Sequence, residues 1–174
     1  MGCRLVRSFF YWQSKKSAPE EAGKLQELPG RMEQALAMFA PLAQTARGNG
    51  LQLAFENCGV TTWEVKAFMT ALGGPDLGMA WDVHNGWFSE EPLRRENEQA
   101  YIDDNIRLTR VLHVKGRGAL PDAPDALPYE AILARLRVTG FDGPVSIETH
   151  NWQKDVSSLE FSRQIHARLQ PFVS

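Results

Sequence analysis

The sequence predicts an α/β fold of the (β/α)-barrel type, a partial barrel with about five parallel strands in one domain covering residues 1–174. Two observations predict this class. Short apolar runs alternate with helical patterns, which is typical of parallel strands joined by crossover helices. An acidic or histidine residue also recurs at four predicted strand ends, about every 30 residues, the length of one strand–helix unit in an eightfold barrel. These four residues are Glu56, Asp82, His113 and Glu148.

The predicted elements follow one another without a long linker. Strands are predicted at residues 3–11, 51–55, 77–81, 110–114 and 144–147, each rich in apolar residues. Helical periodicity predicts a helix over 31–47, with a kink at Pro41. Thr61 and Glu64 form a capping-box pattern that opens a helix ending near Leu72. Further helices are predicted at 92–109, 129–138 and 156–169, with a surface loop over 116–128.

Composition and charge exclude several classes of protein. The net charge of −2 and pI near 6.1 provide no basic surface for nucleic acid or an anionic membrane. No apolar run approaches the roughly 20 residues that cross a bilayer, and the first residues lack the pattern of a signal peptide. Two cysteines imply no disulfide framework, so we expect a reduced, cytoplasmic setting.

The four strand-end residues predict a metal site, because strand C-termini converge on the active site of this kind of barrel. Two glutamates, an aspartate and a histidine suit Mn²⁺ or Mg²⁺, with Co²⁺ or Zn²⁺ also possible. Such a metal polarises a carbonyl and stabilises an enediolate. Glu56 and Glu148 come from well-separated strands and are predicted to remove and return a carbon-bound proton.

Polar residues beside the strand ends are predicted to bind substrate. They are His84, Asn85, Lys115 and Arg117. Each also has a simpler structural interpretation. An Asx-type turn explains Asn85, solvated loop charge explains Lys115 and Arg117, and a carboxylate at a strand end is commonly a helix cap. His150 is equally consistent with the pocket and with the loop surface.

Four segments carry a family resemblance. LQLAFENCG, GMAWDVHN, RVLHVKG and TGFDGPVSIE resemble the sugar phosphate isomerase/epimerase superfamily, the xylose isomerase-like TIM barrels. The resemblance implies that Glu56, Asp82, His113 and Glu148 bind a divalent metal, often Mn²⁺, and that the two glutamates are the acid/base pair. One departure is that the family often has Lys-Asp where this chain has Lys115 followed by glycine.

Other departures concern the substrate side and the length. Asn85 stands three residues after the strand aspartate, where relatives often have His or Asn, and His84 is displaced by one position. The family's first three strand–helix units have no counterpart. Either the sequence is an N-terminally truncated piece of a barrel, which we favour, or another component covers the gap. Exposed strand edges then favour self-association as a homo-oligomer.

The function predicted from the resemblance is a metal-dependent isomerase or epimerase of carbohydrate metabolism, acting on a small sugar or cyclitol. An inosose dehydratase-like lyase would use the same metal and proton abstraction. A truncated, non-catalytic sugar-binding fragment is the non-enzyme alternative. An endonuclease IV-like function is disfavoured, since the chain has four histidines and a slight negative charge. Neither nucleic acid nor a membrane is an expected partner.

Overall fold

The computed structural model describes residues 2–9, 25, 29–88, 90–123 and 125–173, apart from the side chains of residues 92 and 93. The elements, in chain order, are β1 (Leu5–Ser8), α1 (Arg31–Gly48), β2 (Gln52–Glu56), α2 (Thr62–Leu72), β3 (Leu77–Asp82), α3 (Val83–Trp87), α4 (Glu91–Glu96), α5 (Glu98–Leu108), β4 (Thr109–Lys115), α6 (Gly116–Ala119), α7 (Tyr129–Val138), β5 (Val145–Glu148) and α8 (Ser158–Val173). They form two compact units, Met1–Trp81 with Leu108–Arg110 and Asp82–Arg107 with Val111–Ser174, called here the first and second units.

The first unit is built on parallel strand pairing. Strand β1 pairs with β2, and β2 pairs with β3, both in parallel. Helix α1 packs on β2 and α2. Between them Phe39, Phe55 and Phe68 meet edge to face, with ring centroids 5.1–5.7 Å apart. Aromatic pairs prefer this geometry, so the three rings form a specific as well as an apolar core.

Helix α2 begins at the predicted capping box. The Thr61 side chain accepts a hydrogen bond from the Glu64 amide, and the Glu64 carboxyl accepts one from the Thr61 amide at 2.9 Å. The same carboxyl, fully buried, accepts a hydrogen bond from the backbone amide of Leu25. Glu64 therefore ties a distant part of the chain to the start of α2.

The second unit contains β5 and the part of β4 from Val111 onward, and the two strands pair in parallel with Lys115 opposite Glu148. Helix α8 packs on β5, α6 and α7. Its Phe161 and Ile165 are fully buried, as is Ile132 of α7. An apolar helix face against a short parallel strand is the packing that the alternating sequence pattern predicts.

Three predictions of secondary structure need correction. The helix expected over 92–109 is divided into α4 and α5, because Asn97 has non-helical backbone angles and its side chain caps α5 by accepting from the Ala100 amide at 3.0 Å. The loop expected over 116–128 begins with α6, and α3 follows β3 directly. Strand β1 is shorter than residues 3–11, of which residues 10 and 11 lie outside the described part.

The predicted class is confirmed. Five strands alternate with helices, and the pairings within each unit are parallel. None of the helices in the described ranges combines the length and apolar character needed to cross a bilayer. The single-domain boundary of 1–174 stays a prediction.

Candidate functional site

Three of the four predicted ligands come together in the second unit. Asp82 is the last residue of β3, Glu148 is the last residue of β5, and His113 lies in β4 two residues before its end. One carboxylate oxygen each of Asp82 and Glu148 and one ring nitrogen of His113 lie within 4.8 Å of one another. Parallel strands deliver their carboxyl ends to one edge, which accounts for this convergence.

The convergent donors are largely removed from water. Asp82 is fully buried, His113 is 5% exposed, and the Glu148 side chain is 25% exposed. His113 Nδ1 lies 2.8 Å from Glu148 Oε1. Buried carboxylates are costly unless positive charge or hydrogen bonds compensate them. A set of two carboxylates and one imidazole is also the chemistry that suits Mn²⁺ or Mg²⁺, so these residues fit a divalent metal.

A lysine ammonium already accompanies these carboxylates. Lys115 Nζ lies 2.5 Å from Asp82 Oδ2, 2.6 Å from Asn85 Oδ1 and 3.9 Å from Glu148 Oε2. The predicted substrate-binding residues Lys115 and Asn85 are thus adjacent to the candidate ligands. The ammonium compensates part of the negative charge of these buried carboxylates.

Asp82 has a structural role as well. Its second oxygen, Oδ1, accepts a hydrogen bond from the backbone amide of Asn85 at 3.1 Å and so caps helix α3. A cap of this kind holds the carboxylate in one orientation. Asp82 is therefore a helix cap and a candidate metal ligand at the same time.

The other two predicted substrate-binding residues are joined by a residue that the sequence did not indicate. Arg117 Nε donates to Asp125 Oδ2 at 2.5 Å, and His84 Nε2 lies 3.4 Å from the same oxygen. Desolvation opposes ionisation of Asp125, but the hydrogen bonds with Arg117 and His84 hold the pKa of its carboxyl below the ordinary value. Asp125 lies in the segment predicted to be a surface loop, where one acidic residue gives no signal.

Tyr129 is a second residue that sequence reasoning missed. Its hydroxyl accepts a hydrogen bond from the backbone amide of Lys115 at 3.0 Å, and the side chain is 1% exposed. Burial raises the pKa of the Tyr129 hydroxyl far above its ordinary value, and the charges of Asp82 and Glu148 raise it further. The group therefore stays protonated and anchors the end of β4. Its place as the first residue of a helix gave no hint of this contact.

His150 lies beside Glu148. Its Nε2 is 3.4 Å from Glu148 Oε2, and its side chain is 55% exposed. Its φ of 35° is the one positive value at a non-glycine residue in the described ranges. Residues with such backbone angles are found disproportionately at functional sites.

Glu56, the fourth predicted ligand, belongs to the first unit. It is the last residue of β2, it is 3% exposed, and Arg7 Nε of the neighbouring strand donates to its Oε2 at 2.5 Å. The Arg7 guanidinium also lies over the Phe9 ring, 4.3 Å from its centroid. Arg7 is therefore a further residue that the sequence did not single out.

Comparisons with solved structures identify the fold. The structure of L-ribulose 3-epimerase matches with a TM-score of 0.71 at 16% identity, covering 98% of this chain and 61% of that one. A xylose isomerase-like TIM barrel protein from Mycobacterium smegmatis in complex with magnesium matches with a TM-score of 0.67 at 18% identity, covering 99% and 62%. D-psicose 3-epimerase in the presence of D-fructose matches with a TM-score of 0.65 at 17% identity, covering 94% and 61%. The chain spans about three-fifths of each structure.

No curated protein matches the chain. The family model of the xylose isomerase-like TIM barrel, by contrast, matches residues 1–165. The match includes the first unit, the second unit as far as residue 165 and all the strand ends described above. The chain therefore belongs to the xylose isomerase-like TIM barrel family.

Proposed function

We propose that this chain contributes the metal centre of a sugar isomerase or epimerase, which interconverts small sugars or cyclitols by moving a carbon-bound proton. The observation that carries the proposal is the convergence of Asp82, His113 and Glu148 within 4.8 Å. Support also comes from the similar structures, two of which are sugar epimerases.

The proposed metal ligands are Glu56, Asp82, His113 and Glu148, with Mn²⁺ as the preferred ion and Mg²⁺, Co²⁺ or Zn²⁺ as alternatives. Carboxylate-rich ligation favours the first two ions. When bound, a divalent cation polarises a carbonyl and stabilises the negative charge that develops on its oxygen. The assignment of Glu56 rests on its position at a strand end and on the family resemblance.

The proton-transfer roles fall to Glu148 and Glu56. Glu148 is 25% exposed, which leaves its carboxylate within reach of a substrate, whereas its neighbour His113 is nearly buried. His113 Nδ1 fixes the orientation of the Glu148 carboxylate through the 2.8 Å contact. A general base held in one orientation transfers a proton more effectively than a mobile one.

Substrate oxygens would meet the polar residues around this centre. Lys115 and Asn85 supply an ammonium and an amide at the metal side, and Tyr129 supports the Lys115 backbone. His84 and Arg117, held together by Asp125, supply a second polar group. Hydroxyl-rich ligands need several such donors and acceptors, which is consistent with a sugar or cyclitol.

Metal binding is the first experiment. We expect one Mn²⁺ per chain by elemental analysis and titration, with weaker binding in Glu56→Gln and His113→Ala. Glu160→Gln is a matched control, because Glu160 is an exposed carboxylate on α8. A folded chain that binds no Mn²⁺, or variants with the affinity of the unchanged chain, would contradict the proposed centre.

Proton exchange is the second experiment. With ketoses, aldoses and cyclitols in deuterium oxide, we expect deuterium to enter the carbon beside the carbonyl in the presence of the unchanged chain and Mn²⁺. Glu148→Gln has the same shape and should retain the fold while exchange falls by about 100-fold or more. Exchange that persists in Glu148→Gln would remove Glu148 from the mechanism, and release of water would indicate a dehydratase.

A further inference from the structure

Lys115 has an unusual environment for a residue expected to contact substrate. Its side chain is 13% exposed, and Nζ has three oxygen neighbours, Asp82 Oδ2, Asn85 Oδ1 and the more distant Glu148 Oε2. The ammonium donates hydrogen bonds to Asp82 Oδ2 at 2.5 Å and to Asn85 Oδ1 at 2.6 Å, whereas Glu148 Oε2 at 3.9 Å is an ion-pair neighbour only. The ammonium is therefore directed at the protein's own oxygens.

Two of those oxygens belong to candidate metal ligands. Asp82 Oδ2 is 2.5 Å from Nζ, and the other oxygen of Asp82 is engaged by the amide that caps α3. Oδ2 is thus the Asp82 oxygen that faces a cation, and that cation is the Lys115 ammonium. A divalent ion bound to that oxygen would stand beside a positive charge, and like charges at such a distance in a buried site repel strongly.

We propose that Lys115 is a built-in competitor for the metal. Its ammonium neutralises Asp82 and Glu148 when no divalent cation is bound, and it has to leave Asp82 when one binds. This inference rests on the proposed function, since it presumes that these carboxylates are metal ligands.

A permanent salt bridge predicts the opposite behaviour. If Lys115 served to orient Asp82 for the metal, its removal would leave Asp82 less well positioned, and metal affinity would fall. If Lys115 competes, its removal frees Asp82 and affinity rises. The sign of the change in affinity therefore decides between the two roles.

The test is Mn²⁺ titration of the full chain and three variants. Lys115→Met retains the apolar stem without the charge, and Lys115→Gln leaves a hydrogen-bond donor near Asp82. Lys66→Met is the matched control, because Lys66 is exposed on α2 and its replacement changes the net charge equally. We expect both Lys115 variants to bind Mn²⁺ about tenfold more tightly or better, and the control to stay within about twofold of the unchanged chain.

Each outcome is decisive. Equal or weaker binding by both Lys115 variants, with binding intact in the unchanged chain, would overturn the inference and leave the proposed function standing. If the unchanged chain and all three variants are folded and none of them binds Mn²⁺, both the inference and the proposed function are overturned. A Lys115 variant that folds only with Mn²⁺ would support the inference, because the metal then replaces the ammonium. A variant that stays unfolded even with Mn²⁺ would count against it.

Discussion

Gly116 stands where the family that this chain resembles often has an aspartate, and the structure leaves no room for a side chain at this position. A Cβ at this position would overlap the carbonyl oxygen of Thr149 and lie 2.6 Å from Cε1 of Phe161. The first obstacle is backbone, which cannot rotate away, and the second is a fully buried ring. We therefore predict that Gly116→Ala destabilises the protein and that Gly116→Asp, the substitution that restores the family's Lys-Asp pair, does so more strongly.

The magnitude follows from two opposing effects. Overpacking of a buried position typically costs about 1–3 kcal/mol. Replacing glycine reduces the freedom of the unfolded chain and returns about 0.4–1 kcal/mol. The net loss for alanine is then about 1–2 kcal/mol in the free energy of unfolding, which corresponds to about 2–8 °C in Tm for a chain of this length.

Urea denaturation followed by circular dichroism measures this loss. Gly48→Ala is the control, because a Cβ there meets no atom within 4 Å and the residue ends helix α1, so its stability should change by no more than about 1 kcal/mol. If Gly116→Ala or Gly116→Asp proved as stable as the unchanged chain, the close approach of Gly116 to Thr149 would be refuted as the cause of the departure.

Two further predictions concern stability. Glu64→Ala should lower the free energy of unfolding by about 3 kcal/mol in urea denaturation, because it removes the carboxylate half of the capping box and leaves the Leu25 amide without its acceptor; a loss below about 1 kcal/mol would contradict this. The hydrogen bond from Arg135 lowers the pKa of Asp103, so this carboxylate stabilises the fold above its ordinary pKa of 3.8 and the effect disappears as the pH falls through the lowered value. The stability difference between the unchanged chain and Asp103→Asn should accordingly be largest near neutral pH and vanish in acid, and a difference that persisted in acid would contradict the pairing.

The element order was predictable because each signal was local. The capping box of Thr61 and Glu64 predicted the start of α2, and the predicted helix over 129–138 has the bounds of α7. The errors also have local causes. The helical pattern over 92–109 includes Asn97, although its side chain caps a new helix, and no pattern predicts the short helix α3 that Asp82 caps.

The candidate ligands were predictable from the sequence, whereas the residues that contact them were not. Parallel strands bring their carboxyl ends to one edge, so residues about 30 apart in sequence can be expected to meet without any knowledge of the loops. Asp125 lies in a loop and Tyr129 is the first residue of a helix. No regular spacing in the sequence predicts which residues of such segments contact the polar groups at the strand ends. Arg7, which binds Glu56, lies in the predicted strand over 3–11 together with Arg4, and the sequence pattern does not distinguish the two arginines.

Asp82 is both a helix cap and a proposed metal ligand, and these two interpretations of the residue do not exclude each other. One of its oxygens caps α3, and the other faces Lys115. Because the cap fixes the carboxylate, the remaining oxygen is oriented before any cation arrives, and the entropy of ordering it does not oppose metal binding. Asp82 is fully buried, so its negative charge is not stabilised by water. A neighbouring cation has to compensate that charge, and either the Lys115 ammonium or a divalent metal can do so. We therefore predict that the cap orients Asp82 for its proposed role as a metal ligand, and that substitutions which remove the Asn85 backbone amide weaken Mn²⁺ binding in titration.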